Sequence, residues 1–250
     1  MLKTLTKECL KCKNPLCIKG CPVHNDIKEI ISLINEDKIK EAYSLNLQTS
    51  TLPFVCGVLC GRDVVVAQCG IGKVFAAMAA QTMILRFGVD TVINTGVAGT
   101  LTSELGIADV AVSSACVQHD MDTSAIGDPV GLISGINVIE LPADKALGEC
   151  VAKAAGELGI RCVSGVIASG DQFVSSAERK RYIVDNFGAI ACEMEGASIA
   201  QVCYVNRVRY VVIRAISDSA DGSAHMDYGE FVKIAAANSA KILCRMLEAL

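Results

Sequence analysis

Residues 189–221 read AIACEMEGASIAQVCYVNRVRYVVIRAISDSAD, and the fold follows from how this stretch divides. A short apolar run, 189–192, meets Glu193, Met194 and Glu195, after which 196–205 has the small and apolar spacing of a packed helix. The acids therefore sit at the end of a strand. A second, more strongly β-branched run, 210–216, carries Arg214 and finishes on Ser217 and Asp218. Ligands of open α/β sheets bind outside the carboxyl ends of strands, so Glu195 and Asp218 would face one crevice if the two strands are parallel neighbours. The competing reading, that these acids only cap helices, stays open on spacing alone.

The same alternation runs outward over most of the chain. Strands are expected at 64–68, 91–94, 110–115 and 161–168, helices at 74–87, 143–158 and 176–186, and a closing amphipathic helix at 231–250. Such alternation predicts an α/β sheet. The first 60 residues differ: they hold six of the 13 cysteines and no clear buried strand. Charge shifts as well, since 1–50 carry eight of the 23 basic but only six of the 27 acidic residues. A boundary is therefore placed between 1–60 and 61–250.

With 250 residues, 52% of them apolar and 20% charged, and a mean hydropathy of +0.43, the chain can bury a full core. Its net charge of −4 argues against a general nucleic-acid binder. No run approaches the roughly 20 apolar residues of a membrane span. The opening MLKTLTKECL lacks the apolar core of a secretory peptide. A reducing, cytoplasmic protein is expected, its thiols serving as core residues or metal ligands.

Cys9, Cys12, Cys17 and Cys21 are followed by Pro22. Thiolates at such short spacing can converge on one inorganic centre, and a terminal Cys-Pro is common at iron–sulfur sites. The stretch ECLKCKNPLCIKGCPVHNDIKEIISLINEDKIKEAYSL, with LPFVCGVLC further on, resembles the amino-terminal iron–sulfur domain of the glutamate synthase small subunit and of dihydropyrimidine dehydrogenase. The resemblance covers about 7–60 and implies a small helical module for electron transfer. With Cys56 and Cys60 the module has six thiols, too few for the family's two clusters. A single cluster on the first four cysteines, a zinc site and a metal-free segment all stay open.

Beyond residue 60 the segments VVVAQCGIGKV, INTGVAGT, VIASGDQF, AIACEMEGASIA and VVIRAISDSAD resemble, in order and spacing, the methylthioadenosine/S-adenosylhomocysteine nucleosidase branch of the nucleoside phosphorylase superfamily. The resemblance implies a three-layer α/β/α sandwich with a mixed sheet, a homodimer, no cofactor, and hydrolysis that frees adenine from 5′-thio-substituted adenosines. Breaking the C1′–N9 bond builds positive charge on the ribose and negative charge on the base, so a proton donor is needed at the purine. By resemblance Asp218 is that donor, with Ser217 beside it, and Glu195 binds the ribose hydroxyls. Met194 packs on the sugar, Phe173 stacks on adenine, and the Val174 backbone reads the base edge. Glu193 and Arg214 belong to the same motifs and are grouped with the substrate site, Arg214 as a structural neighbour of Glu195. Ile71, Tyr228 and, from the partner subunit, Ile126 match positions lining the 5′ pocket.

Taken alone, Phe173 reads as a core residue, Gly70 and Gly72 as a tight turn, and His119 and His225 as surface or junction residues. The phosphorylases carry an arginine in the turn matched by 94–99; none occurs here, which favours water as nucleophile. The nucleosidases also begin with a buried strand and a run of glutamates, one of which activates that water. Here the cysteine-rich segment takes that place, with Glu8 and Glu29 as unremarkable acids. A nucleoside-binding protein without turnover, a purine nucleoside phosphorylase and a metal-sensing protein therefore stand as alternatives. They would show ligand affinity without adenine release, phosphate-dependent turnover, and cluster absorbance respectively.

Overall fold

The computed structural model describes residues 26–38, 41–42, 44–45, 54–218 and 228–250, with the backbone alone at 54–55, 218 and 228–234. The chain divides into two compact units, Met1–Gly57 with Asp63–Gly70 and Val58–Arg62 with Ile71–Leu250. In the smaller unit, helix α1 (Ile27–Asn35) starts where Asp26 accepts the Glu29 N–H at 3.2 Å. Its isoleucines at 27, 30, 31 and 34 recur at helical spacing. Strands β1 (Phe54–Leu59) and β2 (Arg62–Ala67) form a hairpin whose turn, Cys60 and Gly61, has φ of 52° and 77°. Positive φ at both positions is the signature of a type I′ turn, whose twist matches that of its strands. The β1 segment was expected to be helical; it is a strand because its aromatic and β-branched residues meet a Cys-Gly turn and then the run Val64–Val65–Val66.

In the larger unit the order is α2 (Lys73–Phe87), β3 (Thr91–Thr100), β4 (Val110–Gln118), β5 (Leu141–Pro142), α3 (Lys145–Glu157), β6 (Cys162–Ser169), α4 (Ala177–Phe187), β7 (Ala189–Glu193), α5 (Gly196–Asn206), β8 (Arg209–Asp218) and α6 (Tyr228–Ala249). The expected elements are present. Strand β3, however, runs through Gly96 and Gly99 to Thr100, where a turn was read: neither glycine ends it, and Gly96 makes room for Arg214. The sheet is mixed, in the order β5-β4-β6-β7-β3-β8, and β8 also pairs back on β4. Strands β4, β6 and β7 run one way, β3 and β8 the other.

Both faces of this sheet are covered, which is why β8 reads as an almost unbroken apolar run. Val211 and Ile213 pack with Leu147 and Val151 of α3 and with Ile242 and Met246 of α6. The alternate residue, Val212, faces the N-terminus of α5, where a Cβ on Gly196 would lie 3.1 Å from its methyl group. Helix α2 packs in turn on α5.

The expected side-by-side pairing of the two acid-bearing strands is corrected: β7 and β8 are antiparallel and β3 lies between them. Their carboxyl ends still meet. Strand β7 overlaps β3 only at its tip, with Cys192 opposite Gly99, and Gly99 is in turn opposite Asp218. One row of three residues thus brings the end of β7 beside the end of β8.

Helix α3 depends on a side-chain cap, Asp144 Oδ1 accepting the Leu147 N–H at 2.9 Å. Asp144→Ala should lower stability by about 1 kcal/mol and the melting midpoint by roughly 2–4 °C. An unchanged melting curve would show that the helix is held by packing alone.

Candidate active site

Glu193 ends β7 with a side chain that is 2% exposed. A buried charge must be paired, and this one accepts from four groups. Oε1 takes the hydroxyl of Ser169; Oε2 takes the Glu195 N–H at 2.9 Å and the guanidinium of Arg214; the Gly196 N–H reaches both oxygens at 2.9 Å. It therefore caps α5, and Gly196 is needed there because a Cβ would come within 3.0 Å of Oε1. Grouped with the substrate residues from its motif, Glu193 has both carboxylate oxygens engaged by Ser169, Arg214 and the N–H groups of Glu195 and Gly196.

Arg214 is 3% exposed and stands over Gly96, its neighbour across the β3–β8 ladder. A Cβ at Gly96 would lie 1.8 Å from Nη1. Nη2 also donates to Asn94 Oδ1 and lies 3.7 Å from Glu195 Oε2. The neighbour relation read from the motif is thus present, and residues 94–99, read as a turn, form the strand that seats the guanidinium.

Glu195 occupies the N-cap position of α5 and keeps 15% of its side chain exposed. Its Oε1 accepts the Gly72 N–H at 2.9 Å. Burial raises its carboxyl above the ordinary glutamate range; the Gly72 hydrogen bond opposes this, Glu193 adds to it, and Arg214 opposes it. Met194 beside it is half-buried, and Ser217 Oγ donates to Ala98 O at 3.2 Å. Asp218 is placed by its backbone at the end of β8, and Tyr228 begins α6.

Opposite lies the loop after β6. Phe173 is 84% exposed, while Val174 packs on the cluster of Val117, Ile183 and Phe187. The loop is fastened at Asp171, whose Oδ1 accepts the Lys73 N–H at 2.8 Å and whose own N–H reaches Asp120 Oδ2 at 2.9 Å. Lys73 Nζ completes the ring on Asp120 Oδ1 at 2.7 Å and adds Gln118 Oε1 at 3.1 Å. Burial would raise the Asp120 carboxyl, but the Lys73 hydrogen bond, the Asp171 N–H and the Lys73 charge together hold it below its ordinary value. Sequence reasoning missed Lys73, Asp120 and Asp171. Lys73 and Asp171 stood in the GIGK and SGDQF segments, where the glycines, Ile71 and Phe173 drew a reading.

His119, read as a surface or junction residue, is 1% exposed instead, with Nδ1 facing Arg179 at 3.1 Å. Burial lowers its pKa below the ordinary histidine value. Ile71 and Ile126 are exposed. Cys9, Cys12, Cys17, Cys21 and His225 lie outside the described residues. Cys56 and Cys60 are exposed on a strand and its turn, and among the described residues no three His, Cys, Asp or Glu side chains are grouped to hold a metal ion.

The phosphorylase superfamily matches residues 17–248, reaching back into the stretch set apart as an iron–sulfur module. An aminodeoxyfutalosine nucleosidase of Helicobacter pylori is 44% identical over 194 residues, 78% of this chain and 84% of the relative. A 5′-methylthioadenosine/S-adenosylhomocysteine nucleosidase of Shewanella sediminis is 39% identical over 201 residues, 80% of this chain and 87% of the relative. Among solved structures, a Helicobacter pylori MTAN mutant with 5′-methylthioadenosine in the active site superposes with a TM-score of 0.75 at 43% identity, covering 80% of this chain and 86% of that one.

Gly96→Ala should displace Arg214 from Glu193 and leave a buried charge unpaired. The expected loss is about 3 kcal/mol, a fall of roughly 6–12 °C in the melting midpoint. A midpoint within about 2 °C of the parent would mean that the ion pair tolerates the added methyl group.

Proposed function

The chain belongs to the phosphorylase superfamily, and from that premise we propose that it hydrolyses the N-glycosidic bond of 5′-methylthioadenosine and S-adenosylhomocysteine, releasing adenine. The observation that carries this reading is the nearness of strand ends: Glu195, bonded by the Gly72 N–H and 3.7 Å from Arg214, follows the end of β7, and the row Cys192, Gly99 and Asp218 links that end to the end of β8. Bond cleavage needs an acid at the base and negative charge near the ribose, and an acid at the end of β8 with a second just after β7 supports that assignment.

In this reading Asp218 protonates the departing adenine at N7, with Ser217 beside it. Glu195, ionised, accepts the ribose hydroxyls and favours the oxocarbenium-like transition state. Met194 supports the sugar, the exposed ring of Phe173 is the platform on which adenine stacks, and the Val174 backbone reads the base edge. Glu193 and Arg214 act from behind, holding the N-terminus of α5 so that Glu195 points outward. The hydrolysis uses no cofactor. Ile71 and Tyr228 line the 5′ pocket together with Ile126 from a second copy of the chain. The exposed apolar residues Ile71, Val74, Phe75 and Met78 around the start of α2 support a homodimer. The relative named for aminodeoxyfutalosine brings a second adenine nucleoside to test at the same site.

Adenine release from 5′-methylthioadenosine in phosphate-free buffer is the direct test. Turnover is expected; binding without release would reduce the protein to a nucleoside binder, and turnover that requires phosphate would make it a phosphorylase. Asp218→Asn should abolish turnover while changing affinity for the nucleoside by less than about tenfold, because the lost interaction belongs to the transition state. Equal loss of both would count against its role as the acid.

The raised carboxyl of Glu195 sets a pH dependence. A higher pKa means that more of the group is protonated at a given pH, and the ribose requires the carboxylate. The acid limb of kcat/KM should therefore fall at a pH above the ordinary glutamate value of about 4.3. An acid limb at or below that value would separate Glu195 from the reaction.

A further inference from the structure

Lys73 stands where the two sides of the site join. It is the first residue of α2 and directly follows Gly72, whose N–H holds Glu195. Its own N–H binds Asp171, its ammonium binds Asp120, and Asp120 binds back to the Asp171 N–H, all between 2.7 and 2.9 Å. The ring closes on three segments: the start of α2, the end of β4, and the loop that carries Phe173 and Val174. Two further bonds tie it to α5, Ser198 Oγ to Lys73 O at 2.9 Å and Gln118 Nε2 to Gln201 Oε1 at 2.6 Å.

The fit is close. A Cβ on Gly72 would lie 3.0 Å from Asp171 Oδ1, a tight contact, and the φ of 94° at this position favours glycine in any case. The Lys73–Asp120 pair is mostly shielded, with side chains 19% and 15% exposed. Water competes poorly for such a pair, and its geometry constrains the segments it joins. Phe173 cannot anchor the loop by packing, since it is 84% exposed.

We propose that Lys73 is a positioning residue: through Asp120 and Asp171 it clasps the loop that presents Phe173 to the base against the turn that presents Gly72 to Glu195, and so sets the distance between base and ribose contacts. The proposal rests on the reading of Phe173 and Glu195 as substrate contacts. A loose clasp would let the loop wander and weaken ground-state recognition of the base more than the proton transfer by Asp218.

Lys73→Met removes the ammonium and keeps the stem and the backbone N–H; Lys73→Arg keeps the charge, and Asp120→Asn keeps the shape without the ion pair. For Lys73→Met the KM for 5′-methylthioadenosine should rise about tenfold while kcat falls less than about threefold, with Lys73→Arg restoring KM to within about threefold of the parent. The double variant Lys73→Met/Asp120→Asn should be no worse than Lys73→Met alone, because both break the same link. Amide hydrogen exchange should quicken at residues 170–174 and stay unchanged within α5. Parental KM and parental exchange would overturn the proposal, as would exchange that quickens along the whole chain. Exchange needs no turnover, so a parent protein that releases no adenine would defeat the hydrolase reading while the exchange at 170–174 still judges the clasp.

Discussion

The buried pair of Arg214 and Glu193 is the constraint on which the rest of the site depends. Neither charge can stay in the interior alone, and each finds its counter-charge in the other, although the buried Nε of Arg214 has no hydrogen-bond partner. Arg214 lies flat over Gly96 and reaches Asn94; Glu193 collects Ser169, Arg214 and the first N–H groups of α5. Strands β3, β6, β7 and β8 and one helix terminus are thereby tied to a single point. Such a junction is weak as a source of net stability and strong as a source of position, because any shift of one element leaves a buried donor or acceptor without its partner.

Two acids separated by one residue meet opposite fates at this point. Glu193 points inward as β7 ends and spends its carboxylate on the protein. Glu195 stands at the N-cap position of the same helix without a side-chain cap bond to it, and its carboxylate takes a single backbone donor from Gly72 with a more distant arginine. Burial, only partly offset by the Gly72 hydrogen bond and Arg214, leaves its carboxyl above the usual range. The Lys73–Asp120–Asp171 ring applies the same logic at the facing loop, with polar bonds doing what apolar packing cannot do beneath an exposed aromatic ring.

Much of this was legible in the residues. The strand–acid–helix passage through Ala191, Glu193 and Gly196, and the β-branched approach to Asp218, place carboxylates at strand ends by periodicity alone. The end of β3 was not legible, since Gly96 and Gly99 signal a turn locally and serve instead as clearance for Arg214 and as the middle of the row that joins β7 to β8. Cys56 was drawn toward a metal reading by the cysteines before it, but the hairpin turn at Cys60 and Gly61 makes its segment a strand.

The sequence by itself determined the alternation of strands and helices, the family, and which side chains stand at the carboxyl ends of β7 and β8, because period, turn chemistry and residue type are local properties. Only the tertiary structure decided that those two strands run in opposite directions with β3 between them, that Glu193 is enclosed by Ser169, Arg214 and the start of α5 while Glu195 reaches Gly72, and that Lys73, Asp120 and Asp171 close one ring. Those outcomes depend on contacts between residues tens of positions apart, where burial makes each charge find a partner and the closing sheet fixes which partner is within reach.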